Sequence, residues 1–170
     1  MIEKRFLGYK DVAGLVPHFP ELDMEKLGRI VTRVTTRRGL HDQKLGTTVY
    51  EDVLAVPPIL LRPSVTVEGR WTILNGKHRA VIAVLRRAPL EVAIVTRRES
   101  IPHHVPRVAF GDLDIDRVQD LYDNAATWES LCVRQDAGTI LDLIRKSSAD
   151  LNAIVSENDE LTLPHAHCKV

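Results

Sequence analysis

The sequence is short of cysteine, of any excess of one charge and of long apolar runs, and each shortage removes a class of protein. Two cysteines, Cys132 and Cys168, cannot staple a disulfide scaffold, so a reducing compartment is expected, with the cytoplasm as the default. Lys plus Arg and Asp plus Glu number 23 each, which argues against a chain that holds DNA mainly by global attraction to phosphates. Met1 to Lys10 is charged and lacks an apolar stretch of signal length. No window approaches the roughly 18 apolar residues of a spanning helix, so no membrane is expected. Repeats and low-complexity segments are absent too. What remains is ordinary globular composition, 44% hydrophobic and 27% charged, in 170 residues, enough for one compact domain with an appendage and no metal or disulfide.

Apolar spacing then divides the chain. A short strand is expected at Phe6 to Val12, before Pro17 and Pro20 punctuate the sequence. Asp23 suits the cap of a helix with apolar residues at Met24, Leu27, Val31 and Val34, a spacing that marks one buried face. The polar stretch Thr35 to Asp52 reads as a long loop with a short element near Thr47 to Tyr50, and such loops are often functional. Ile59-Leu60-Leu61, a turn at Glu68-Gly69 and Trp71 to Leu74 predict a hairpin. Ala80 to Leu85, between Gly76 and Arg86-Arg87, suits a helix, and Leu90 to Thr96 a further strand. Beyond Arg97 the spacing turns helical. Val118, Leu121, Tyr122 and Ala125 follow Asp112 or Asp114 as cap, and a second stretch runs from Ile140 to Val155 with a break at Ser147-Ser148. The tail from Leu161 to Val170 reads as irregular, with little apolar area to offer a core.

Chemistry concentrates at Asn75-Gly76-Lys77-His78-Arg79, where a strand ends, a glycine turns the chain and a helix begins. Free backbone N–H groups and the positive end of the helix dipole form an anion site there, typically for phosphate. Lys77, His78 and Arg79 would occupy the first helical turn, where each positive charge costs about 0.3–1 kcal/mol relative to a neutral residue. Something anionic is expected to offset that cost. The competing reading is three solvated side chains on an exposed turn.

The run Trp71 to Ala83, with Pro58-Ile59-Leu60-Leu61 before it and Leu90 to Val95 after it, resembles the ParB/sulfiredoxin superfamily, whose members share a strand, a Gly-x-x-Arg turn, a helix and another strand. The resemblance covers about Val12 to Thr96, and Leu15-Val16-Pro17-His18 is similar to the family's early Leu-x-Pro-His segment. It implies an α+β fold: a small mixed sheet with packed helices over residues 1–100, a nucleotide-phosphate-binding domain, on which the helical spacing of 101–170 predicts a packed helical C-terminal extension. It carries the family's glycine to Gly76 and its phosphate-contacting arginine to Arg79, the side chain able to make paired hydrogen bonds to phosphate oxygens. Asn75, Lys77 and His78 become phosphate neighbours, and the cofactors implied are ATP or ADP, or CTP, with Mg²⁺.

Departures narrow the choice. Sulfiredoxins place a nucleophilic cysteine where this chain has Lys77, which sets sulfinic-acid repair aside. The partition proteins' Gly-Glu-Arg-Arg-x-Arg-Ala loses its last two residues to Val81 and Ile82. The free-serine kinase branch, with Asp-Gly-His-His-Arg, is the most similar in motif, and Leu163-Pro164-His165-Ala166-His167 resembles its proline-containing tail, which adds His165 and His167 as tail contacts. Asn75 replaces that branch's acidic residue and Phe19 stands where relatives often carry Glu. A phosphoryl transfer then needs another base or orienting carboxylate, for which Glu21 and Glu51 are the candidates beside His78.

Other clusters carry less. His165-x-His167-Cys168 lacks a fourth zinc ligand, so no metal site is assigned. His103-His104 between prolines reads as a loop, and Trp71 and Trp128 as packing residues. Arg29, Arg33, Arg37 and Arg38 are flanked by acids and without interleaved aromatics, so they read as a solvated face. The sequence thus predicts a small-molecule phosphotransferase or nucleotide hydrolase acting on a nucleotide and a small-molecule acceptor. The alternatives are a CTP-type nucleotide switch without catalysis and a ParB-like DNA-binding nuclease, with DNA the less favoured partner. A homodimer is compatible with all three.

Overall fold

A computed structural model of the chain describes residues 2–31, 58–101 and 115–164. Among them the fold is α+β, a four-stranded mixed sheet covered by helices on both faces. Strand β1 (Ile2–Leu7) is followed at once by helix α1 (Tyr9–Ala13), so the strand expected at Phe6 to Val12 is corrected: it ends at Leu7. Gly8 caps α1; Leu7 reaches the core from the strand, whereas Val12 and Ala13 reach it from the helix. Helix α2 begins at Met24 and spans 24–31, with Leu27, Ile30 and Val31 buried. Asp23 caps it as its sequence implies, its Oδ1 accepting the Lys26 backbone N–H at 3.0 Å.

The predicted hairpin forms from β2 (Ile59–Pro63) and β3 (Trp71–Asn75), paired antiparallel around a turn in which Gly69 has a positive φ. Helix α3 (Lys77–Arg86) leads to β4 (Leu90–Val95), which runs parallel to β2 and antiparallel to β1, so the order across the sheet is β1-β4-β2-β3. A 3-10 turn (Arg98–Ser100) precedes α4 (Ile115–Asp123), α5 (Ala125–Arg134), α6 (Ile140–Lys146) and α7 (Ser148–Ser156). Ser147 separates α6 from α7, as the Ser-Ser pair suggests. Asn124 separates α4 from α5, a break the apolar spacing conceals because Ala125 stays buried.

Across β2, β3 and β4 both sheet faces are apolar, which explains why these strands, unlike β1 with Glu3, Lys4 and Arg5, read as largely hydrophobic runs. Leu61, Ile73, Val92 and Ile94 point to one face, where α1, α2, α3, α6 and α7 build the larger core. Leu60, Leu74, Ala93 and Val95 point to the other, under Ile101 and α4 residues Val118 and Leu121. Residues on both sides of position 100 thus share each core. Helix α3 is buried along Lys77 to Leu85, and such all-round burial places it at the centre of its layer. Its start, at the end of β3, is where the two layers meet.

Candidate functional site

The turn into α3 is built as its sequence implies. Gly76 adopts φ 108° and ψ 22°, a left-handed conformation, and its carbonyl accepts the first helical bond from Ala80 N–H at 2.9 Å. A Cβ here would lie 2.2 Å from Ile59 Cγ2, so β2 packing as well as backbone geometry demands glycine. No acidic residue occupies the first turn of α3.

The cationic side chains are not solvated. Lys77, His78 and Arg79 are 6%, 9% and 3% exposed, which corrects the reading of an open turn. A segment of irregular backbone, residues 17–23, lies over them as a strap. Just before it, Val16 pairs alongside β3 in a parallel bridge: Val16 N–H donates to the Trp71 carbonyl at 2.9 Å, and Ile73 N–H donates to the Val16 carbonyl at 2.8 Å. His18 Nδ1–H donates to the Ile73 carbonyl at 3.0 Å. At the far end Lys77 Nζ donates to the Glu21 carbonyl at 2.6 Å, and His78 Nε2 accepts the Asp23 backbone N–H at 3.0 Å. Two more of the strap's carbonyls are held from the helical extension: Cys132 Sγ donates to Pro17 at 3.2 Å and Lys146 Nζ to Pro20 at 3.1 Å.

Phe19 lies between the layers. Lys77 Nζ sits 5.3 Å and Arg117 Cζ 4.7 Å from its ring centroid, and His18 and Trp128 meet it edge-on at 5.0 and 4.8 Å. The Phe19 π face suits these cations without neutralising them. The resulting potential is positive. Burial, then the Arg117 charge, lowers Lys77 to about 8. Burial, then Lys77 and Lys26, brings His78 down to about 3, and burial lowers Arg79 to about 10. His18 is lowered chiefly by burial, with Lys77 and Arg117 adding to it, and Lys26 by burial and Arg117. Both imidazoles are neutral near pH 7, His78 with its proton on Nδ1.

Lys26 and Arg117 are functional candidates that sequence reasoning missed. Lys26 stood inside a helix read for its apolar face, and Arg117 reaches the site only through tertiary packing of α4. Of the expected carboxylates, Glu21 is exposed on the strap and helps hold Lys77 charged, while Glu51 lies outside the described residues. His165, His167, His103, His104, Cys168, Arg33, Arg37, Arg38 and the loop Thr35 to Asp52 also lie outside them. Asn75 is half-buried at the end of β3. The tail before His165 does not run along the start of α3: Thr162 N–H donates to the Leu85 carbonyl at 2.8 Å, at the opposite end of that helix.

Among the described residues no group of three or more His, Cys, Asp or Glu is placed to hold a metal, and no helix is long and apolar enough to cross a membrane. Arg29 is exposed and pairs with Glu25 at 3.3 Å, one turn away. Trp71 packs on the larger core and Trp128 on the smaller, in keeping with packing roles. Comparison with protein-family models, with curated proteins and with solved structures finds no match.

Proposed function

We propose that this chain binds the phosphate groups of a nucleotide of the ATP or ADP type at the start of α3, in a fold of the ParB/sulfiredoxin-like kind. The observation that carries the reading is the gathering of Lys77, Arg79, Lys26 and Arg117 within electrostatic reach of one another at a helix N-terminus that has no acid in its first turn. Cations that lower one another's proton affinity in a buried setting raise the free energy of the empty site, and a bound polyanion relieves it. Arg79 offers paired donors, the lysines act as point charges, and Mg²⁺ would enter with the nucleotide.

In a phosphotransferase or hydrolase, a general base would complete the site. A second reading, a nucleotide-gated module without turnover, is favoured by His78, whose only lone pair in the neutral tautomer already accepts the Asp23 N–H. Thermal melts with ATP, ADP, CTP and GTP, each with and without Mg²⁺, test the binding claim, since a ligand of the native state raises the midpoint by mass action. A rise with at least one nucleotide, weakened in Arg79→Lys and Arg117→Gln, is expected. No rise with any would remove the proposal, and phosphate release or transfer separates enzyme from module.

A further inference from the structure

The side chains best suited to meet phosphate are the same ones that hold the strap shut. Lys77 Nζ donates a hydrogen bond to the Glu21 carbonyl and His78 Nε2 accepts one from the Asp23 N–H. Residues 19–22 form no strand or helix; Phe19 packs on the smaller core and Leu22 on the larger, and the backbone runs from an end anchored on β3 to an end anchored by the α2 cap. The third hold, Lys146 Nζ on the Pro20 carbonyl, comes from the last turn of α6.

We propose that residues 19–23 are a ligand-opened gate over the phosphate site, closed when the site is empty and displaced when a polyphosphate takes Lys77 from the Glu21 carbonyl. This rests on the phosphate-binding reading and adds its regulation. The competition is direct, because a phosphate oxygen is a stronger acceptor for an ammonium than a neutral carbonyl. The second latch opens with the first, because lifting the segment also breaks the bond from the Asp23 N–H to His78 Nε2. Phe19 moves with the strap and thereby uncovers Lys77 and Arg117. Closure also lowers apparent affinity, since only the open fraction binds.

Two measurements on the full chain test the gate, with ATP and inorganic pyrophosphate as probes in the presence of Mg²⁺. Hydrogen exchange at the Asp23 amide should become faster on ligand addition, the reverse of the protection that a ligand resting on a closed strap would give. Lys146→Met removes a hold on the strap from outside the phosphate site, and it should bind both probes more tightly, by roughly fivefold for one lost hydrogen bond of the closed state. Binding without faster Asp23 exchange and without a gain in Lys146→Met would overturn the gate and leave the phosphate site standing. Binding of neither probe by wild type or variant would overturn both.

Discussion

Gly76 and His78 show how single positions at this site serve fold and chemistry together. Alanine at Gly76 would have to hold φ 108°, at about 1–2 kcal/mol, and push its Cβ away from Ile59, at a further 1–3 kcal/mol. We therefore expect Gly76→Ala to lose about 3 kcal/mol in denaturant unfolding, and a loss under about 1 kcal/mol would mean that β2 and the turn relax freely. The glycine thus has a packing reason to exist, and the phosphate reading rests on the cations around it. His78 makes a prediction in pH. Its folded value near 3 lies below the 6.5 of a free histidine, so between those values the unfolded chain takes up a proton that the native chain does not. Stability is complete above about pH 6.5 and falls as pH falls toward 3. The loss by about pH 4.5 is about 2–3 kcal/mol from this residue. His18, also lowered, adds to the same slope. His78→Gln, whose amide oxygen can still accept from Asp23, should flatten the slope without removing it, and denaturant midpoints at several pH values would read the difference.

At the scale of elements, α5 ties the sheet hairpin to the site. Glu129 is fully buried and accepts from the Ser64 hydroxyl, from Thr72 Oγ1 at 2.7 Å and from Val65 N–H at 3.2 Å, fixing the hairpin turn to the strand whose end carries Gly76. Alanine there orphans three donors, so Glu129→Ala should lose about 3 kcal/mol or more, and Glu129→Gln less, because one carbonyl oxygen remains to accept. Equal unfolding midpoints for the two would count against the network. The sequence made the hairpin, α3, β4 and the Ser147 break legible, because each is set by local pattern: alternating turn residues, a glycine before an apolar run, a polar pair inside a helical period. The boundary of β1 was not legible, since Tyr9 to Ala13 could extend a strand as well as start a helix, and only packing of Val12 and Ala13 into the core decides. Glu129 reads as a surface residue in sequence; its burial follows from donors more than 50 residues away. The site was legible in the same partial way. Gly76 and Arg79 announce a junction, whereas the strap and Arg117 come from tertiary contacts that no local pattern encodes.

At the scale of the whole molecule, a formal net charge of zero coexists with one concentrated positive site, so charge is distributed by element and the total carries no information about the ligand. The two halves of the chain are joined by their cores and by side chains that cross between them. Ala137, Ile140, Leu143, Ile144 and Leu151 lie in the same apolar cluster as Ile73, Ile82 and Val92, and Cys132 and Lys146 reach the strap. The segment after α7 is irregular over 161–164, as its sequence reads, yet it belongs to this joint core, contrary to the expectation that it has little apolar area to offer. Leu161 is buried, Thr162 bonds to Leu85, and Glu160 pairs with the half-buried Arg86 at 2.7 Å. Ending the chain after Ser156 should therefore lower stability by about 2–4 kcal/mol, mostly from the lost burial of Leu161, with Leu161→Ala in the full chain reproducing most of it. Ending it after Pro164 keeps Leu161 and the Thr162 bond, so the loss that comes from them should not appear. The pair of truncations also separates fold from ligand: residues 157–164 pack at the far end of α3 and should not alter phosphate affinity of the folded protein, whereas a loss of affinity on removing 165–170 alone would assign that role to His165 or His167. A chain ending at Ser156 that melts like the full protein would show that the core does not need Leu161 and would return the tail to the part its sequence first suggested.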